Sequence, residues 1–350
     1  MLKNRYFALL LLVLAVPGIQ AEEVTVLVER LLDAPIITAH THPSIGENIQ
    51  GPSLIRVPDW IESPLGAYYL YFADHKGSYI RLAFADRLEG PWSVHPRGSL
   101  QIADSHFPSE PPEAPTEALA RIQAQMDKTP GGLNKLPHDL LQELTAPHIA
   151  SPDVHVDSEA RSIVMYFHGL EGFANQVTRV AVSSDGISFR ARSEILGKTY
   201  MRAFQHRGIR YAMAMPGQFY RTTDGLSNFA VGPRLFNSNM RHAALLVRGD
   251  TLYVFWTQVG DVPERILLST IDLSADWFGW EQSEPMEVLR PEKTWEGADA
   301  PLVASLRSVA YGQVNQLRDP AIFEEGSRTY LLYAVAGESG IAIAEVFFEE

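Results

Sequence analysis

The chain has 350 residues, of which 46% are hydrophobic and 20% charged, so it can bury a substantial core and is not a disordered protein. Its formal net charge is −13 and it contains no run of Lys or Arg, which argues against nucleic acid as a partner. It has no cysteine, and this excludes disulfide frameworks and thiolate metal sites.

The first predicted element is a secretory signal peptide over residues 1–21. Lys3 and Arg5 precede an apolar run, and a helix-breaking Pro17 and a small Ala21 follow it. The apolar run is short for a membrane span. We therefore expect a secreted or periplasmic protein that has no contact with the membrane once the signal is removed. A retained N-terminal anchor is the alternative.

Residues 22–350 are predicted to form one domain, because one pattern occurs five times along them. Each copy consists of short β-rich segments, rich in Tyr, Phe and Val, separated by turns that contain Gly, Asp or Glu. Such repeats are typical of a β-propeller, in which each blade is a four-stranded antiparallel meander. The predicted fold is thus an all-β, five-bladed propeller. The fifth copy ends after three segments, so we expect residues 24–32, VTVLVERLL, to supply its outer strand.

Residues 104–147 do not follow the repeat. They begin with a proline-rich stretch and contain two helical patterns, at Thr116–Met126 and from His138 to Leu144, separated by a Pro-Gly-Gly break. This segment is predicted to be a short helical insertion between blades 1 and 2. Two interpretations remain open: a lid over a pocket, or a surface decoration.

Candidate site residues come from two places in each repeat, the start of the blade and the turn between its second and third strands. In a meander these two places lie at the same end of the propeller. The candidate catalytic residues are Asp153, Asp319 and Glu338. The candidate substrate-binding residues are Gln50, His75, His168, Glu171, Arg202, Arg241, His242 and Arg318. Each also has a structural interpretation, as a turn cap, an ion-pair partner or a satisfied turn histidine.

The pattern resembles the five-bladed propellers of the arabinanase, levansucrase and invertase superfamily, particularly glycoside hydrolase families 43 and 117. The segments that carry the resemblance are YYLYFADHKGSYIRLAFADRLEGPW in blade 1, SPDVHVD in blade 2 and LRDPAIF in blade 5. The resemblance implies a central funnel that binds carbohydrate. It also implies a base aspartate at the start of the first blade, an orienting aspartate at the second and an acid glutamate at the third.

Of these three positions only the second is matched, by Asp153. The first blade begins with Gln50 and Gly51 where an aspartate is expected, and the third has Arg202 and no glutamate. Hydrolysis of a glycosidic bond needs one group to protonate the leaving oxygen and another to activate water or attack the sugar. The usual mechanism of the resembled enzymes therefore cannot simply be transferred.

We expect a secreted glycoside hydrolase-like protein that acts on a polysaccharide or oligosaccharide in the central funnel. In one mechanism Asp153 and Asp319 share the base and orienting roles, and the proton comes from Glu171, Glu338, or a protonated His75 or His242. The alternative is a carbohydrate-binding propeller that does not cleave. The arginines favour an acidic or sulfated glycan, because guanidinium groups bind carboxylate and sulfate in a bidentate manner.

No cofactor is required by this chemistry. The resemblance leaves room for a central structural cation such as calcium, near His75, and the sequence contains no close cluster of zinc-type ligands. The expected oligomeric state is a monomer.

Overall fold

The computed structural model describes residues 25–128, 136 and 139–349, so the predicted signal peptide lies outside the described residues. Five antiparallel sheets make up the fold, and each is one blade of a propeller. Their first strands lie side by side around the axis. The predicted all-β, five-bladed propeller is confirmed.

Each blade is a meander of four strand positions. Blade 1 consists of Gln50–Arg56, Tyr68–Ala73, Tyr79–Ala85 and Ser93–Gln101. Blade 2 consists of Ile149–Asp157, Ser162–Gly172, Asn175–Ser183 and two short outer strands, Arg190–Ala191 and Gly197–Lys198. Blade 3 consists of Arg202–His206, Ile209–Ala214, Gln218–Thr222 and Ala230–Arg234. Blade 4 consists of Met240–Arg248, Thr251–Gln258, Ile266–Asp272 and Met286–Leu289.

Blade 5 closes the ring with a strand from the beginning of the chain. Its consecutive strands are Arg318–Glu325, Arg328–Ala334 and Gly340–Glu349, and Thr25–Arg30 pairs antiparallel with the last of them. The two-residue strand Ile37–Thr38 pairs with that same strand. The predicted origin of the outer strand is therefore correct.

A buried ion pair joins the closing strand Thr25–Arg30 to the segment that precedes blade 5. Arg30 donates from Nε and Nη2 to the two carboxylate oxygens of Glu296, each at 2.8 Å, and Tyr333 also donates to Glu296. Since Glu296 is fully buried, the removal of Arg30 would leave its carboxylate in the core with the Tyr333 hydroxyl as its main side-chain partner.

The core lies between neighbouring blades, because both faces of every blade are covered. Tyr69 and Tyr71 of blade 1, for example, share a cluster with Ile163 and Phe167 of blade 2. Runs of buried residues therefore occur where a one-faced sheet would show strict alternation; Tyr68–Ala73 is buried throughout.

One backbone irregularity recurs near the start of the first strand in four blades. The register shifts by one residue between Gln50 and Ser53, and likewise in blades 2, 4 and 5. The shift is a β-bulge, which re-aims the side chains around it. Its first residue is Gly51, Ser151, Arg241 or Asp319, and the residue after the bulge is Ser53, Asp153, Ala243 or Ala321.

The described helices are short. Two α-helices, Thr116–Met126 and Leu140–Thr145, lie in the predicted insertion, and the second is capped by Asp139, which accepts from Gln142 N. Three 3-10 helices span Ile102–Asp104, Trp277–Gly279 and Thr294–Glu296. Within the described part of the chain, none of the helices has the length and apolarity needed to cross a membrane.

Candidate functional site

A cavity of about 450 Å³ lies at the end of the propeller where the first strands begin, called here the upper end. His75, Arg241 and His242 line this upper cavity from the blades. Both α-helices of the insertion contribute to its wall, for instance through Met126 and Glu143. The insertion is therefore part of the cavity rather than a remote decoration.

A network of buried charges lies beside the upper cavity. Glu338 accepts from Arg318 Nη1 and from Asn48 Nδ2, both at 2.7 Å, and its Oε1 lies 3.2 Å from His75 Nδ1. Glu264 accepts from Arg241 Nε at 2.9 Å, and its other oxygen lies 3.5 Å from Arg318 Nε. We call Glu264, Glu338, Arg241 and Arg318 the axial network; all four are at most 2% exposed.

The axial network keeps Glu338 ionised despite burial. Burial alone would raise the pKa of Glu338, but His75 and Arg318 outweigh it and hold that pKa well below its ordinary value. Burial would likewise lower the pKa of Arg318, and Glu264 and Glu338 reverse this effect. For Arg241 the neighbouring carboxylates do not offset burial: burial and the charge of Arg318 lower its pKa. Its Nη2 has no hydrogen-bond partner among the described residues.

Asp319 stands next to this network in a different state. It is the first residue of the blade 5 bulge, with a φ of 49°, and it is 1% exposed. Tyr200 donates to its Oδ1 at 2.9 Å, whereas its Oδ2 is buried without a partner among the described residues. Burial and the charge of Glu338 raise the pKa of Asp319 to about 6. A buried carboxyl group with so few donors can therefore hold a proton in weakly acidic solution.

A row of aromatic rings borders Asp319. His242 packs against Tyr200 at a tilt, with ring centroids 4.9 Å apart, and His168 follows at 6.3 Å from Tyr200. Burial, together with Arg241 and Arg318, lowers the pKa of His242 far below its ordinary value, so this histidine is neutral. Its Nδ1 accepts from the backbone N–H of Asp319 at 3.2 Å. Asp319 thus lies directly behind a histidine that lines the cavity.

Asp153 does not line the upper cavity. Its Oδ2 accepts from His155 Nε2 at 2.8 Å and from Ala203 N at 2.7 Å. Burial would raise the pKa of Asp153, but His155 and Arg202 hold it below its ordinary value. The carboxylate lines a second cavity, formed by the later parts of the first strands. The structure does not bring Asp153 and Asp319 into one cavity.

The bulge explains this separation. In LRDPAIF the aspartate precedes the proline and is the first bulge residue, whereas in SPDVHVD the aspartate follows the proline and lies just beyond the bulge. The residue of blade 2 that corresponds to Asp319 is therefore Ser151, also at positive φ. In blade 1 it is Gly51, where an added Cβ would lie 2.8 Å from the Cα of Ser151. No carboxylate side chain fits there.

The other predicted site residues occupy mixed positions. Gln50 is buried and accepts from Ser151 Oγ at 3.0 Å, which joins blades 1 and 2. Glu171 forms an ion pair with Arg179 at 2.7 Å and does not line the upper cavity. Arg202 donates to the carbonyls of Ala243 and Ser151 and lies over the Tyr200 ring. The side chains of Gln50, Glu171 and Arg202 therefore bond to other protein groups, and none of the three lines the upper cavity.

Two residues that matter here were missed by the sequence analysis. Glu143 lies in the insertion, lines the upper cavity and accepts from Ser308 Oγ at 3.0 Å. Tyr200 holds Asp319 from the loop before blade 3. An acidic residue in a short helical pattern could have indicated Glu143 as a site residue. Nothing in the sequence distinguishes Tyr200 from the many aromatic residues of the core. Across the described residues, no group of three or more His, Asp or Glu side chains is placed to hold a metal ion.

Comparisons with known proteins agree with the fold. Among solved structures, a family-43 β-xylosidase/α-arabinofuranosidase from a compost metagenome, solved with xylotriose, superposes with a TM-score of 0.53 at 12% identity. The match covers 92% of this chain and 95% of that enzyme. A GH43_1 enzyme from Xanthomonas citri gives a TM-score of 0.52 at 11% identity, over 90% of both chains. At such identities the likeness establishes the five-bladed fold.

One curated protein is related in sequence. Uncharacterized protein R118 of Acanthamoeba polyphaga mimivirus is 34% identical over 325 residues, which cover 85% of this chain and 83% of the viral protein. No family model matches the sequence. The chain therefore belongs to the same family as the mimivirus protein R118, and its fold is that of the family-43 glycoside hydrolases.

Proposed function

We propose that the chain is a glycoside hydrolase-like protein that takes a carbohydrate into the upper cavity. The observation that carries the proposal is a pair of buried carboxyl groups beside a cavity of ligand size, with pKa values shifted in opposite directions. Glu338 is held ionised and Asp319 retains its proton up to a pH of about 6. Environments that separate two carboxyl groups in this way are typical of an acid and its ionised partner. Two of the structural neighbours are named as a β-xylosidase/α-arabinofuranosidase and an α-L-arabinofuranosidase.

In this proposal Asp319 supplies the proton to the leaving oxygen of the substrate. Because Oδ2, its oxygen without a partner, is buried behind His242, the His242 ring must move aside for the leaving oxygen to reach it. The base is His75, which lines the upper cavity and is 22% exposed in its side chain. Glu338 orients the ring through Nδ1, and this leaves Nε2 as the nitrogen that can take a proton from water. His75, oriented by the Glu338 carboxylate, thus takes the role of the base aspartate, which is absent because Gly51 occupies its position.

A second candidate function, binding without cleavage, is favoured by one specific observation. The blade 1 position that corresponds to Asp319 is glycine packed against Ser151, and Glu338 is already satisfied by Arg318, Asn48 and His75. A protein that had lost hydrolysis would keep the cavity and its hydrogen-bonding groups.

We further propose that the carbohydrate is acidic or sulfated, in line with the arginines at the upper cavity. Arg241 and Arg307 line it, and Arg241 Nη2 lacks a partner among the described residues. Lys198 adds a third cation to the wall. Carboxylate or sulfate groups are the ligands that such side chains bind most strongly.

The experiment is a hydrolysis screen with the purified protein on neutral, uronate-containing and sulfated glycans, read as new reducing ends. If Asp319 is the acid, the rate falls as the pH rises above about 6, because the protonated form disappears. Asp319→Asn should lower turnover by at least about 100-fold. The matched control is Asp250→Asn, in a turn at the opposite end, which should leave turnover unchanged.

The same preparations distinguish the two functions. Glycan binding without any product supports the binding protein, and neither binding nor product across the panel contradicts both. Product formation that Asp319→Asn does not affect contradicts the assignment of the acid.

A further inference from the structure

The second cavity, at the lower end of the axis, has no role in the proposed function. Its volume is about 380 Å³, and the first strands of all five blades line it. We call it the lower cavity. Cavities of this size commonly bind small molecules when a few polar groups converge in apolar walls.

One acceptor and one donor in the lower cavity lack partners. Asp153 uses Oδ2 for His155 and Ala203, and Oδ1 receives no hydrogen bond from the described residues. Arg202 uses Nε and Nη1 for backbone carbonyls, and its Nη2 is buried without a partner among the described residues. Arg202 is 3% exposed. An unpaired buried guanidinium nitrogen costs free energy unless a ligand or water completes it.

The two groups are close enough to influence each other but do not touch. Arg202 is one of the charges that lower the pKa of Asp153, yet no ion pair within 4.0 Å joins these two described side chains. A group that both donates and accepts can bridge a donor and an acceptor that do not contact each other directly. The charges of Asp153 and Arg202 are opposite and offset each other, so the pair favours a ligand without net charge.

Part of the wall around this pair is apolar. The apolar lining includes Leu54, Val154, Ala244 and Ala321, and the other polar lining residues are Ser53, Arg56, His155 and Glu324. A ligand that fits must therefore offer hydroxyl groups on one side and C–H groups on the other.

We propose that the lower cavity binds a neutral monosaccharide or a cyclic polyol of similar size. A hydroxyl group both accepts and donates, so one hydroxyl can accept from Arg202 Nη2 and donate to Asp153 Oδ1. The C–H face of the ring packs on the apolar wall. The site is independent of the proposed function, since it shares no lining residue with the upper cavity.

The first test uses the unmodified full chain. Diethyl pyrocarbonate modifies accessible histidines, and His155, which lines the lower cavity, has 38% of its side chain exposed. At saturating xylose, arabinose, glucose or myo-inositol, at least one compound should slow the modification of His155 by about tenfold. The modification of His75, measured in the same samples, reports on the upper cavity. The proposal is overturned if none of them protects His155, or if a zwitterionic amino acid protects it and the sugars do not.

The second test is a binding titration with the protecting compound. Asp153→Asn keeps the shape but removes the charged acceptor, and should weaken binding by about tenfold. Asp157→Asn is the matched control, because Asp157 lies on the same strand, pairs with Arg210 and does not line the lower cavity. Equal affinity of Asp153→Asn and the wild type contradicts the proposal. Should Asp153→Asn not fold, the protection of His155 still decides, and it does so whether or not the upper cavity hydrolyses glycans.

Discussion

Asp319 and Asp153 both flank a proline near the start of a first strand, yet the two ends of the propeller hold them in opposite states. Asp153 accepts two hydrogen bonds and is held ionised, whereas Asp319 has one donor, an unpartnered oxygen and a raised pKa. The lower carboxylate is stabilised by its surroundings. The upper one is tolerated at a cost in stability, which is the pattern expected of a group retained for function rather than for folding.

The largest effect is expected from the axial network. Arg318→Met removes the cation shared by Glu338 and Glu264, both fully buried, and should lower the free energy of unfolding by about 3 to 5 kcal/mol. Urea unfolding at neutral pH measures this. Arg248→Met is the control, because its partner Glu324 is 47% exposed and the loss should stay below about 1 kcal/mol. Equal losses in the two variants would break the contrast between buried network and surface pair.

A smaller effect is expected where the usual carboxylate is missing. Gly51→Ala places a Cβ against the Ser151 backbone at positive φ, and should destabilise the protein by about 1 to 2 kcal/mol more than Gly249→Ala. Gly249 also has positive φ, at 59°, but faces open space, so it isolates the effect of crowding from that of backbone strain. If both variants lose the same free energy of unfolding, the start of blade 1 has room for a side chain after all.

The smallest effect is expected at the lower rim. Arg56 pairs with Glu325 at 2.6 Å, but 61% of its side chain is exposed. Arg56→Met should change the free energy of unfolding by less than about 1 kcal/mol. Thermal unfolding of the variant measures this, and a loss comparable to that of Arg318→Met would show that the lower end is also held by charge.

The fold could be predicted further than the site. Repeated β-rich segments determine a propeller, and the missing fourth segment of blade 5 leaves only residues 24–32 to close the ring. The site depends on a single bulge residue, which leaves no trace in hydrophobic periodicity, so Asp153 and Asp319 looked equivalent. The pairing of Asn48 with Glu338 joins residues 290 positions apart, and no local pattern encodes it.

The most direct test compares Asp319→Asn with Asp153→Asn by urea unfolding at about pH 8. The raised pKa of Asp319 means that its ionised form opposes folding above a pH of about 6. Asp319→Asn should therefore raise the free energy of unfolding by on the order of 1 to 3 kcal/mol. The lowered pKa of Asp153 means that its ionised form supports folding, so Asp153→Asn should lose about 1 to 3 kcal/mol. Below about pH 4 the gain of Asp319→Asn should vanish, because Asp319 is then protonated in both states. We predict that the two variants change the free energy of unfolding in opposite directions at about pH 8, and a loss of stability in both would contradict this prediction.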